Sequence, residues 1–385
     1  LAFLSASTLL NAQYPNLSEG AKIMMFTCGP GDELYAGFGH SALWVSDPKQ
    51  KIDRLYNYGT FDFDTPNFYG KFIRGKLNYM VSVTRASRFL EEYDSRKISV
   101  YGQTLDLNQV EKQRMYEFLE TNLRPENRLY KYDFFYDNCA TRIRDVVVKV
   151  ADGKVNFNTV DQHLTFREML FPYLTHTPWT KFGINLILGL TSDKVATTWD
   201  YQYLPEYMQD QFQNATISSN GAERKLVTNS KQYLSSKLNF TNNKADDPVV
   251  VFGSILLLVL LITAIEIKKR KILNWVNYLL FIISCVAGLF LLFMWLGTDH
   301  IATAKNMNVL WLFPAQLLFL ISLKLKGRIH ANLNRIALIY QLLISFVLLI
   351  WPQESEISFT LIALVFVVRI AGYIIISTKK PSGIR

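Results

Sequence analysis

Thiols and imidazoles are the side chains best suited to nucleophilic chemistry in this sequence, and both are scarce: three Cys and five His in 385 residues. The richest segment runs from Tyr132 to Asp145 around Cys139. After Cys139, apolar residues fall at Ile143, Val146, Val147 and Val150, the spacing of one helix face. Asp137 or Asn138 is a natural N-cap, which places Cys139 in the first turn. Unpaired N–H groups and the helix dipole favour a thiolate there and lower the thiol pKa. The same local pattern also fits an inert buried cysteine, since free Cys is among the most buried residue types.

A nucleophilic thiol needs a base. His40 follows Gly37-Phe38-Gly39 and opens a strand-like run through Val45, so it stands where a sheet end can meet a helix N-terminus, as a Cys/His pair requires. A structural histidine bonded to a loop carbonyl is the other reading. His163 and His176 lie in loop-like sequence without a Cys neighbour, and no Cys/His spacing suits zinc; neither metal nor cofactor is expected. Cys28, in the turn Cys28-Gly29-Pro30-Gly31, reads as structural or site-shaping, with a disulfide to Cys139 or a reactive thiol as alternatives.

The elements that must hold these groups read as a mixed α/β domain over residues 20–215. Strand-like stretches fall at Ala42 to Val45, Leu55 to Tyr58, Leu77 to Val83 and Ile98 to Leu105. Asn108 with Glu111 three residues on is a capping-box pattern that opens a helix to Asn122. Residues 216–248, rich in Ser, Asn and Lys, read as a linker.

Beyond it the composition changes. Five apolar runs, residues 249–267, 273–297, 308–323, 336–351 and 357–376, predict an all-α membrane domain of five transmembrane helices over residues 249–377. Cys285 lies inside the second run and reads as inert; Arg369, near the end of the fifth, is expected to snorkel. Thirteen Lys/Arg against four Asp/Glu lie after residue 248, which accounts for the whole net charge of +9 and leaves the first 248 residues neutral. That distribution excludes an ordinary basic nucleic-acid binder. Lys268 to Lys271, the Lys324 to Arg335 group and the tail, residues 378–385, mark cytoplasmic sides, so an odd number of spans puts the α/β domain outside the cytoplasm with the C-terminus inside. Residues 1–12 resemble the remnant of a signal peptide cleaved after Ala12, with a signal anchor that stays attached or a buried strand as alternatives. Asp299 and His300, between the second and third runs, place ionisable groups at the outer membrane face and suggest substrate contact, with a solvated loop as the alternative. Phe68, Tyr69, Phe72, Trp179, Phe182, Trp199, Tyr201 and Tyr203 are candidates for an interfacial rim or acyl groove, with ordinary core packing as the alternative for each.

A His heading a strand, followed much later by Asn-Cys at a helix start, resembles the circularly permuted branch of the NlpC/P60, papain-like thiol enzymes. The segments Thr27 to Tyr35, Phe38 to Leu43, Tyr56 to Phe63 and Tyr132 to Asp145 are most similar to the Lnb-type lipoprotein N-acyltransferases. The resemblance implies a periplasm-facing enzyme of the bacterial inner membrane. Its partners would be the lipid bilayer, a phospholipid acyl donor and a diacylated lipoprotein acceptor whose diacylglyceryl-cysteine α-amine receives the chain. Cys139 would be the nucleophile and His40 the base, with Asn57 preferred to Asp62 as the orienting residue. Ser41, Tyr58, Asn138 and Arg142, in the same segments, join Cys28, Asp299 and His300 as substrate-binding or site-shaping candidates.

Two other classes compete: a membrane-anchored cysteine peptidase or amidase acting on cell wall, and a non-enzymatic membrane receptor. A wall hydrolase needs only one anchor, and a receptor usually carries a cytoplasmic output domain, for which the tail is too short.

Overall fold

The computed structural model describes residues 14–160, 163–236 and 247–378; the expected leader and the tail after Thr378 lie outside this range. The described residues divide into two compact units. The first holds residues 14–63, 78–160 and 198–236, and the second holds 64–77, 163–197 and 247–378.

The first unit is the mixed α/β body. Its strands are β1 (Lys22–Cys28), β2 (His40–Asp47), β3 (Ile52–Thr60), β4 (Asn78–Thr84), β5 (Val100–Leu105), β6 (Leu129–Lys131), β7 (Lys154–Asn156), β8 (Thr216–Ser219), β9 (Ala222–Lys225) and β10 (Val227–Leu234). Seven of them form an antiparallel sheet in the order β10-β5-β1-β2-β3-β4-β6, and β7-β8-β9 form a second, small sheet. One face of the large sheet packs Leu43, Val45 and Tyr56 against Ala140, Ile143 and Val147 of the helix Cys139–Val150. The other face buries Phe26, Ala42 and Leu55 with Phe89 and Tyr93 of the helix Ala86–Ser95. The helix Gln109–Leu123 opens with the expected box: Asn108 Oδ1 accepts from the Glu111 amide at 2.9 Å, and Glu111 Oε2 accepts from the Asn108 amide at 2.7 Å.

Two boundaries differ from expectation. Residues 216–234 are strands rather than linker, and β10 is the edge of the main sheet. An edge strand needs only its backbone to pair, so polar, mostly exposed side chains suit it as well as they suit a tether. The stretch read as one domain, residues 20–215, also includes two segments that fold with the second unit. Phe182 there lies 5.2 Å, ring to ring, from Phe252 and 5.3 Å from Phe359, so its apolar surface is spent on the membrane helices.

In the second unit three helices are long and apolar enough to cross a membrane, Pro248–Lys269, Asn274–Leu296 and Ile357–Thr378, rather than the five expected. The third expected span is broken at Phe313 into Asn308–Leu312 and Pro314–Ser322, because Pro314 has no N–H to continue the ladder and restricts the residue before it. The fourth is the helix Gly327–Val347, whose first half carries Arg328, His330, Asn334 and Arg335. Arg369 does not snorkel. It is 1 % exposed, paired to Glu266 at 2.6 Å, and donates to Asn277 Oδ1 at 2.8 Å and Thr263 Oγ1 at 2.9 Å, tying all three long helices together.

Polar bonds sew the inserted segments onto the same unit. The His300 ring Nε2 meets the Phe72 carbonyl at 3.1 Å, and the Asp299 amide donates to the Arg74 carbonyl at 3.0 Å. The Asn306 amide group donates to the carbonyls of Leu186 and Ile187, both at 2.8 Å. Within the 163–197 segment itself, buried Arg167 pairs with Asp193 at 2.7 Å and donates to the Leu188 and Gly189 carbonyls at 3.1 Å. Such charge-assisted and backbone-directed bonds satisfy groups that an apolar setting would otherwise leave unpaired.

Candidate active site

The first unit brings Cys139, His40 and Asn57 together. Asn138 caps the Cys139 helix: its Oδ1 accepts from the amides of Ala140 and Thr141 at 2.9 Å, and Thr141 Oγ1 accepts from the Asn138 amide at 2.8 Å. The other end of the Asn138 amide donates to the carbonyls of Phe134 and Tyr203 at 2.8 Å, so this buried side chain locks the turn before Cys139 to the unit core. Its contacts are thus structural, and they set the position of the thiol.

His40 begins β2, paired in register with Cys28 at the end of β1. Gly39, just before it, has φ +78°, and a Cβ there would come within 2.7 Å of the Cys28 carbonyl oxygen, so this close approach requires glycine. Asn57 on β3 holds the ring: its Oδ1 lies 2.5 Å from His40 Nε2. With Nε2 donating to Asn57, Nδ1 is the nitrogen left for the thiol, and the charges on His40 and Cys139 favour one another.

The electrostatics follow from that pairing. Burial pushes the Cys139 thiol up, but the His40 charge and hydrogen bond, with the amides of Ser41 and Ala140, outweigh it and hold the thiol below its usual range. Burial likewise opposes charge on His40, yet the Cys139 charge and the bonds to Cys139 and Asn57 raise its pKa. The two shifts point the same way, toward a thiolate–imidazolium pair.

Two family models match the chain in order: the Lnb N-terminal periplasmic domain over residues 15–174 and the Lnb transmembrane domain over residues 241–381. The chain is an Lnb-type protein. No match was found among curated proteins or among solved structures. The Cys139 pair falls inside the matched periplasmic domain, and the long apolar helices fall inside the matched transmembrane domain.

The remaining candidates of this Lnb-type chain are placed as follows. Ser41 offers its backbone amide to the Cys139 sulfur, while its hydroxyl is buried without a partner among the described residues. Arg142 is held bidentately by Asp137, at 2.6 and 2.8 Å, and lies 3.4 Å over the Tyr130 ring, with the Tyr58 ring at 5.8 Å. Tyr58 itself is buried in the core behind the site. Cys28 is a free thiol on the opposite face of the sheet from the Cys139 helix, packed with Phe26 and Ala42; burial pushes its pKa well up, against a hydrogen bond with Tyr93. No disulfide joins it to Cys139, which is also free. Asp299 and His300 belong to the second unit, where they bind backbone of residues 72–74.

Sequence reasoning passed over Gly59 and Tyr132. Gly59 has φ +87°, and a Cβ there would touch Tyr132 Cε2 at 3.6 Å and Cys139 Cβ at 3.8 Å, so it leaves room beside Cys139. Its signal was a glycine inside a strand pattern, which marks irregular pairing; the β3–β4 register does shift between Asn57 and Thr60.

The paired shifts predict a pH profile. Because the thiol lies below its usual range and His40 above its own, iodoacetamide should alkylate Cys139 at a rate that stays on its plateau below the ordinary thiol value of about 8.5. Acid then removes the reactivity as the thiolate is protonated. His40→Ala should move the midpoint up to about 8.5 or higher, read by mass spectrometry of the Cys139 peptide. A wild-type midpoint already there would contradict the pair.

Proposed function

We propose that this protein is a lipoprotein N-acyltransferase that moves an acyl chain from a membrane phospholipid, through a Cys139 thioester, to the α-amine of a diacylglyceryl-cysteine lipoprotein. The observation that carries the reading is the Asn57–His40–Cys139 arrangement, with its lowered thiol, inside an Lnb periplasmic domain joined to a membrane unit. We place that domain on the periplasmic face of the inner membrane and the C-terminus in the cytoplasm, in keeping with the periplasmic name of the family model and the basic clusters of the sequence.

In the first half-reaction the Cys139 thiolate attacks the ester carbonyl carbon, and a C–S bond forms. The cap takes the amides of Ala140 and Thr141, which leaves the Cys139 amide in this first turn to donate to the oxyanion. Collapse breaks the ester C–O bond, and the imidazolium of His40 gives its proton to the departing lysophospholipid oxygen. In the second half, His40 takes a proton from the lipoprotein amine as it attacks the thioester; the C–S bond breaks and the thiolate is restored. Asn57 keeps the ring turned toward the sulfur throughout.

The test is expression in cells that lack lipoprotein N-acylation, followed by mass spectrometry of lipoprotein N-terminal peptides. The expected result is triacylated in place of diacylated peptides. Peptides that stay diacylated with the protein present in the membrane would overturn the reading.

A further inference from the structure

An aromatic row leads from the surface of the first unit to the nucleophile. Tyr132, beside Cys139 across Gly59, stacks on Tyr79 of β4 with ring centroids 4.4 Å apart. Tyr79 meets Phe61 edge-on at 5.4 Å, and Phe61 in turn meets Phe63 at 5.1 Å and Tyr35 at 6.4 Å. The local cause is the irregular pairing of β3 with β4 past Asn57, after which the chain leaves the sheet at Thr60 and lays Phe61 on the Tyr79 ring. The outer end of the row is exposed: Tyr35 at 67 % and Phe63 at 65 %. Large aromatic side chains left open to water in a continuous row mark a surface that something apolar covers. Burial pushes the Tyr79 hydroxyl up to about 12, in keeping with an apolar setting in the middle of the row.

We propose that Tyr35, Phe61, Phe63, Tyr79 and Tyr132 form the groove that holds the long acyl chain whose carbonyl carbon is bonded to Cys139. This rests on the acyl-transfer reading and deepens it. The row ends beside Cys139, so its occupant is the group that Cys139 bears, and through both half-reactions that group is the acyl chain. The rings supply apolar and edge contacts along a path that widens at Phe61 toward Phe63 and Tyr35, which suits a hydrocarbon chain.

The experiment follows the first half-reaction alone, with the full chain in mixed detergent micelles. Dipalmitoyl or dihexanoyl phosphatidylethanolamine is the donor, and the acyl adduct on Cys139 is read by intact-mass and peptide mass spectrometry. Because Tyr35 and Phe63 are exposed, the double variant Tyr35→Ala/Phe63→Ala should keep its melting temperature. Its ratio of palmitoyl to hexanoyl acylation rates should fall by about tenfold or more. Phe61→Ala should lower the same ratio further. An unchanged ratio overturns the groove, even if both rates fall together. Acylation left intact with only the discharge by acceptor slowed would also overturn it, since the row would then hold the acceptor. If wild-type Cys139 takes up no acyl group from either donor, the acyl-transfer reading itself fails; an adduct with an unchanged ratio sinks the groove alone.

Discussion

Cys139→Ala should abolish N-acylation, with a loss of about 10⁴-fold or more, the scale set by deleting the nucleophile of a catalytic unit. The substitution removes one sulfur atom and leaves the cap intact, because Asn138 binds the amides of Ala140 and Thr141 rather than the side chain. The variant should therefore melt at the wild-type temperature and insert normally. Residual turnover at the wild-type level would show that another group carries the acyl chain. Cys28 is the obvious rival thiol, and its place predicts that it fails: it packs with Phe26 and Ala42 on the far face of the sheet, with its pKa pushed up by burial. A thiol that burial holds up, with the Tyr93 bond and the Arg96 charge too weak to offset it, is a poor nucleophile.

The largest effect on stability is expected at the Arg369–Glu266 pair. Both side chains are buried among the long helices, 1 % and 4 % exposed. Removing either partner leaves an uncompensated charge, so Arg369→Leu or Glu266→Leu alone should cost about 3–5 kcal/mol of stability. The double variant, Arg369→Leu with Glu266→Leu, takes away both charges and should recover most of that loss. Thermal unfolding of all four proteins in one detergent gives the coupling directly. If the double variant is as unstable as the two single losses added together, the pair is not acting as a pair, and the clamp across the three helices is wrong.

What the sequence reveals and what it hides differ by physical cause. The Cys139 helix, its Asn138 cap and the Asn108–Glu111 box are legible because caps and one-face apolar spacing are local rules, and the helices form as those rules require. The His40–Asn57 contact links adjacent strands 17 residues apart, close enough for strand order to suggest it. The role of β10 is hidden because pairing is done by backbone, and a polar edge strand has the composition of a linker. The broken third span is hidden by its length: residues 308–323 are apolar enough to look continuous, and a single Pro314 interrupts them. The docking of residues 163–197 is long-range. Asn185 donates to Glu356 and Asn306 donates to the carbonyls of Leu186 and Ile187, and nothing in the local sequence says that this segment leaves the α/β body for the membrane unit. Arg369 was misplaced for a related reason: its partner Glu266 is 103 residues away, and an arginine near a span end looks free to reach the headgroups.

The central claim is that Cys139 carries the acyl chain between two lipids. Its most direct test is the mass of the full chain after incubation with phospholipid and no lipoprotein. The expected result is an added acyl group on the Cys139 peptide, released by neutral hydroxylamine as a thioester is, and transferred to a diacylglyceryl-cysteine peptide when one is added. An unmodified Cys139 in a protein that still N-acylates lipoproteins, or an adduct on any other residue, would contradict it.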